Sequence, residues 1–91
     1  MYKVRISNKY KKDLKLLQKR GYNLDLLDDV IDLLIAGEAL PQKYHDHDLH
    51  GTFEGCRECH ILPDWLLIYE KAEETLYLYL TRTGTHSDLF R

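Results

Sequence analysis

Long apolar runs are missing from this sequence. Its opening stretch, MYKVRISNKYKK, is interrupted by charge at short intervals, so it encodes neither a signal-peptide core nor a membrane span, and a cytoplasmic protein with no membrane partner is expected. Cysteine is scarce too. Cys56 and Cys59 alone cannot build a disulfide framework, and a reducing compartment would keep both as thiols. Repeats, low-complexity tracts and linkers are absent, and 91 residues leave no room for a second domain. A chain this short buries only somewhat over ~60% of the surface that its unfolded form exposes, so a single domain over residues 1–91 must have one continuous core.

An excess of positive charge is also lacking. The net charge of −2 taken alone argues against a nucleic-acid partner, which needs concentrated cations. The distribution says otherwise: residues 1–20 hold eight of the thirteen Lys and Arg and a single acid, Asp13, whereas residues 21–50 hold seven acids and one base, Lys43. One end of the chain is basic and the next stretch is acidic.

Tyr2 to Ile6 alternates and favours a strand, and Ser7 then stands at a helix N-cap position. From Asn8 to Arg20, Tyr10, Leu14 and Leu17 make an apolar stripe, opposite Lys11, Lys12, Lys15 and Lys19; Gly21 ends the helix. A second helix is expected from about Leu24 to Ala36, with Leu27, Val30, Ile31 and Leu34 inward and Asp25, Asp28, Asp29 and Asp32 outward. After Pro41, strand-like runs near 47–50, 56–62, 65–71 and 75–82 form a meander punctuated by Gly51, Gly55, Pro63 and Gly84. In TLYLYLT, Leu76, Leu78 and Leu80 share one face, which the helices can cover. WLLIY is apolar on both faces and reads as a central strand. The expected fold is therefore α+β, in the order β-α-α-β-β-β-β, with a mostly antiparallel twisted sheet packed on a helical hairpin.

His45, His47, His50 and His60 crowd into sixteen residues, and His86 follows. Zinc is one reading of such density. HDHDLH resembles the HxHxDH ligand motif of metallo-hydrolases, but Leu49 stands where that motif needs Asp, and the fold it belongs to is far larger. CRECH matches the C-x-x-C-H attachment sequence of c-type haem, yet attachment requires export, and a strand would send Cys56 and Cys59 to opposite faces. Neither a metal nor a cofactor is expected.

Two stretches, HDHDLHGTFEGCRECHILPDWLLIY (His45 to Tyr69) and LTRTGTHSDLF (Leu80 to Phe90), resemble the YafQ family of the RelE superfamily of bacterial toxins. The resemblance implies a RelE-like toxin domain and an endonuclease that cuts mRNA in the ribosomal A site. It also implies silencing by a cognate antitoxin encoded beside it, in a two-plus-two toxin–antitoxin assembly. Carried over by motif, His47 matches the histidine of the D-H-x-L segment, His60 and Asp64 the H-x-x-P-D pair, with Trp65 after it, and Arg82, His86 and Phe90 the R-T-G-T-H-x-x-L-F tail. His45 and His50 find no counterpart and are left out of the site.

The chemistry is consistent with this set. RNA can be cut without metal when its own 2′-hydroxyl attacks the adjacent phosphorus, giving 2′,3′-cyclic phosphate and 5′-hydroxyl ends. A base must take the 2′-proton, an acid must protonate the departing 5′-oxygen, and a cation must stabilise the phosphorane. His86 is assigned as the acid, and Arg82 as the cation, since a guanidinium can hold two phosphate oxygens. The base is either His60 assisted by Asp64, or His47. Phe90 either stacks an unpaired base or anchors the tail; Trp65 either stacks or lies in the core; Lys11, Lys15 and Lys19 either track phosphates or only solvate the helix. Simple alternation puts Arg82 on the leucine side of the last strand, so either the strand ends at Thr81 or a bulge re-aims it. The rival classes are a ParE-like toxin that blocks gyrase by binding, which lacks the acid, base and arginine set, and a small metal or haem protein.

Overall fold

The chain builds a five-stranded sheet with a helical hairpin against one face; the structure, a computed structural model, describes residues 1–90. In chain order the elements are β1 (Lys3–Ile6), α1 (Asn8–Lys19), α2 (Leu24–Ile35), β2 (His47–Asp48), β3 (Arg57–Leu62), β4 (Trp65–Ala72), β5 (Tyr77–Gly84) and α3 (His86–Leu89), with 3₁₀ turns at Gln42–Tyr44 and Gly51–Phe53. The order across the sheet is β1-β5-β4-β3-β2. β1 runs parallel to β5 and every other pair is antiparallel. The hairpin supplies the crossover that a parallel pair needs. No helix of the described residues is long and apolar enough to cross a membrane.

Local chemistry accounts for these boundaries. The Ser7 hydroxyl accepts the Tyr10 N–H at 2.9 Å, and the Asn23 side chain caps α2 by accepting the Asp25 N–H. Tyr10 and Leu17 of α1, with Leu27, Val30 and Leu34 of α2, are buried on Cys59, Ile61, Leu67, Tyr69, Leu78 and Leu80 of the sheet. β4 lies in the middle of the sheet and is buried on both faces: Leu66 and Ile68 point away from the hairpin, under Leu89, Leu49, Phe53 and Cys56. Leu76 departs from the expected leucine row. It sits in the turn before β5 with φ 58° and is 47% exposed, so the row begins at Leu78.

The last strand holds the feature on which the site turns. Tyr69 pairs with Leu80 but Ile68 pairs with Arg82, so Thr81 is an extra residue in β5 and the facing pattern inverts there. Of the two possibilities for Arg82, the bulge is the one realised. It moves Arg82 to the face of Ile68 and turns Thr83 into the core. β1 ends at Ile6, opposite Leu80, and leaves the edge of β5 beyond it without a neighbouring strand. Side chains of the hairpin satisfy that edge: the Ser7 hydroxyl donates to the Thr81 carbonyl at 2.7 Å, and the Asp13 carboxylate accepts the Thr83 N–H at 3.1 Å. Asp13 is thus the buried acid among the lysines of α1.

Trp65 is core. It is 1% exposed, meets Tyr22 edge to face at 5.0 Å between ring centroids, and donates its indole N–H to the Thr83 hydroxyl at 2.9 Å. The stacking role considered for Trp65 is corrected accordingly, because a ring so enclosed offers no face to a nucleobase. Thr83 in turn donates to the Leu66 carbonyl at 2.7 Å. Thr83→Val keeps the shape but strips the indole N–H and this carbonyl of their shared partner. We expect it to cost about 1–3 kcal/mol of stability, read as a lowered urea midpoint with an unchanged slope.

Candidate active site

Strand register assembles the site on the face away from the hairpin. His47 of β2 lies opposite Glu58 of β3, and Glu58 and His60 are two residues apart on one strand, so all three side chains share a face. Ile68 lies beside Glu58 and Leu66 beside His60, giving an apolar floor; Arg82 and Gly84 continue the same two rows on β5. Arg82 therefore stands about 10 Å from Glu58, two strand spacings away.

Glu58 is 5% exposed and sits between two imidazoles: His60 Nε2 lies 3.2 Å and His47 Nε2 3.6 Å from its Oε1. The other ring nitrogens face carbonyls, His47 Nδ1 that of His45 at 2.7 Å and His60 Nδ1 that of Pro63 at 3.4 Å. Each ring thus has an oxygen at both of its nitrogens. The acceptor of the cluster is then Glu58. The three ligand atoms lie within 4.8 Å of one another, so the same triangle could hold a divalent cation.

His86 closes the site from the other side, with its ring centroid 5.8 Å from that of His60. Its Nδ1 lies 2.6 Å from Asp64 Oδ1, and its backbone N–H donates to the same oxygen at 3.0 Å. These two bonds, the backbone one first, hold the Asp64 carboxyl below its ordinary range. They also leave Nε2 of His86 as the nitrogen not engaged by Asp64. The expected pairing of Asp64 with His60 is thus corrected: Asp64 orients His86, and the Pro63 carbonyl and Glu58 orient His60.

Arg82 shares the face but is not loose. Its Nε and Nη2 donate to Asp13 at 2.7 and 3.0 Å, which leaves Nη1 as the edge not engaged by Asp13. Phe90 is 44% exposed, 6.4 Å from the His86 ring and edge-on to Phe53, while its neighbour Leu89 is buried on Leu66 and Ile68. Lys11, Lys15 and Lys19 are exposed on α1, and among the described residues no hydrogen bond or ion pair ties them to the histidine cluster. His50 faces Glu54 at 3.2 Å, outside the cluster. His45 belongs nearer than its motif suggested. It adopts a left-handed backbone at φ 49°, sets its ring against His60 at 5.8 Å, and lends its carbonyl to His47. Asp46 between them accepts from Arg57 at 2.8 Å and from the Tyr69 hydroxyl, riveting this loop to the sheet. Burial and the Asp46 contact push the Tyr69 hydroxyl up from its ordinary value.

The four-residue α3 carries His86 and depends on its own clamp. Thr85 and Asp88 form a reciprocal capping box, and Arg20 of α1 holds Asp88 through two bonds of 2.8 and 3.2 Å. Gly84 has φ 156°, and a Cβ there would lie 2.9 Å from Asp88 Oδ2, so glycine makes room for the clamp.

A sheet with a helical hairpin on one face, and imidazoles, carboxylates and an arginine on the other, is the arrangement of a small toxin domain. Residues 2–91 match the family described as the bacterial toxin of type II toxin-antitoxin system, YafQ, and the chain belongs to that family. It is 42% identical over 88 residues to the mRNA interferase toxin YafQ of Escherichia coli K12, a match covering 96% of this chain and 94% of the relative. Among solved structures, it is similar to the E. coli DinJ-YafQ complex, with TM-score 0.91 and 38% identity over all of both chains. A metal-bound toxin from Helicobacter pylori gives TM-score 0.92 and 43% identity over 99% of this chain and 100% of that one.

Arg20, followed by the Thr85 backbone and hydroxyl contacts, holds the Asp88 carboxyl well below the ordinary carboxylate range. Because the folded value is depressed, the clamp is at full strength above the unfolded value of about 3.9 and is lost only as pH falls well below it. In Arg20→Ala the largest of these causes is gone. Titration of the Asp88 carboxyl carbon by NMR should then show an inflection moved up toward about 4, together with faster amide exchange over residues 85–89.

Proposed function

We propose that this chain is an mRNA interferase, an endoribonuclease that cuts messages without a resident metal by activating the RNA 2′-hydroxyl. The observation that carries this reading is the arrangement of a carboxylate between two imidazoles on one side and a separately oriented imidazole, 5.8 Å between ring centroids, on the other. The name of the E. coli relative supports it.

In this mechanism Glu58 accepts the 2′-proton. The 2′-oxygen attacks phosphorus, and N–H groups of His47 and His60, with Nη1 of Arg82, stabilise the charge on the phosphorane. His86, held as a donor by Asp64, passes the proton on Nε2 to the departing 5′-oxygen. The products are a 2′,3′-cyclic phosphate and a 5′-hydroxyl. Phe90 stacks the base next to the leaving oxygen, and Lys11, Lys15 and Lys19 track phosphates at longer range. We place the reaction on messages in the ribosomal A site, in the cytoplasm. A cognate antitoxin neutralises the chain in a two-plus-two assembly; the E. coli DinJ-YafQ toxin-antitoxin complex supports a partner of that kind.

A cation held by His47, Glu58 and His60 would occupy the lone pairs that the base needs, so metal opposes this chemistry. His86→Gln should lower the cleavage rate by about 10²–10⁴ with an unchanged fold, and end mapping should find 2′,3′-cyclic phosphate on wild-type fragments. A chelator should leave the rate unchanged and added Zn²⁺ should suppress it. Cleavage that needs a divalent cation, or that survives in His86→Gln, would overturn the reading.

A further inference from the structure

His60 also borders a second surface, around the end of β3 on the side of α2. It is a groove of about 710 Å³, walled by α2 through Leu26 and Asp29, by the 3₁₀ turn through Lys43 and Tyr44, and by the end of β3 through His60 and Leu62. None of the reaction steps above uses it. Leu62 is 47% exposed, and Leu26 and Tyr44 are half-buried against the core, so the walls are apolar and firmly backed. Charge enters at two places: the exposed Asp29 carboxylate, and Lys43, whose ammonium stands 5.1 Å from the centroid of the Tyr44 ring. His45, in its left-handed conformation, closes the end next to His60.

We propose that this groove is a nucleobase subsite, which receives the base of the nucleotide whose 2′-hydroxyl attacks and reads it through Asp29. The inference rests on the ribonuclease assignment and extends it to sequence preference. The polarity of the reaction selects the occupant. His86 protonates the 5′-oxygen, so the nucleotide on the leaving side lies toward Phe90; Glu58 and His60 face the attacking sugar, so the nucleotide on the 5′ side continues past His60 into the groove. A flat base suits apolar walls with one in-plane polar partner, and Lys43 at the rim complements the phosphate that precedes it.

Asp29 gives the groove a direction of choice. An ionised carboxylate only accepts hydrogen bonds. Adenine, cytosine and guanine each present an exocyclic amino group to it. Uracil presents its one ring donor between two carbonyl oxygens, which repel a carboxylate. The groove therefore favours amino-bearing bases over uracil at the position 5′ to the cut.

The test uses four messages that differ only in the nucleotide 5′ to the cut, A, C, G or U. They are presented both to the toxin alone and in a purified translation system, and the rates of cleavage at that bond are compared. Wild-type toxin should cut the amino-bearing set about tenfold faster than the U message, a modest share of what one good base contact supplies. Asp29→Ala should bring the ratio close to one. Asp29→Asn, whose amide can also donate to uracil carbonyls, should raise cleavage at U. Asp29 is exposed on α2, so circular dichroism and the urea midpoint should confirm that both variants fold. Failure of wild-type toxin to cut any message would sink the ribonuclease reading itself. Cutting with the same A, C, G and U ratios in wild type and Asp29→Ala would sink the subsite alone. The subsite is equally overturned if those ratios stay fixed while Asp29→Ala weakens neutralisation by the antitoxin, for then the groove is an antitoxin contact.

Discussion

A carboxylate 5% exposed on a sheet cannot remain there without partners, and the constraint that organises this protein is the bracketing of Glu58 by His47 and His60. An isolated buried charge would cost several kcal/mol. Here two imidazoles on neighbouring sheet positions meet it, and their second nitrogens are met by carbonyls of adjoining loops. The arrangement needs β2 to be in register, although that strand is only two residues long. Arg57 supplies what so short a strand lacks, by gripping Asp46 and Asp48 on either side of His47. Burial of one acid thus sets the geometry of a loop, two histidines and a strand.

The remaining acids near the site have different tasks, and their surroundings decide which. Asp64 is exposed and tied to one residue, His86, whose ring it orients. Asp13 is buried and spends its lone pairs on the bare edge of β5 and on Arg82. Asp88 holds α3 to α1 through Arg20. These pairings bear on the net charge of −2: Asp13 and Asp88 are taken up by Arg82 and Arg20, and the two carboxylates on the open face, Glu58 and Asp64, are each met by imidazoles.

Helix periodicity and strand alternation are local signals, and they carried most of the fold. Both long helices, β1 and the four-strand meander lie close to where pattern and turn residues put them. Three particulars were not legible in the same way. The β5 bulge depends on how β4 pairs, and nothing within TLYLYLTRTG marks Thr81 as the extra residue. Leu76 continues an alternation that the turn interrupts. α3 is a four-residue helix held by distant Arg20, below the length at which periodicity speaks. In the site, His47, His60, Asp64, Arg82 and His86 do share one face, but the pairing of Asp64 with His86 joins residues 22 apart in sequence and needed coordinates. Glu58 was the residue to find: in RECHIL it alternates with His60, so the same period-two reading that described the strand would have placed both on one face. Trp65 was drawn toward the site only by its position after Asp64, whereas the apolar run it heads was the better guide.

The division of labour between Glu58 as base and His86 as acid is open to a chemical test that bypasses one proton transfer. An RNA whose bridging 5′-oxygen is replaced by sulfur has a leaving group that departs without protonation. On that substrate His86→Gln should cut at close to the wild-type rate, while Glu58→Gln stays slow because the 2′-proton still has to be taken. If sulfur rescued neither variant, or rescued both alike, the assignment of acid and base to opposite sides of the phosphate would be wrong.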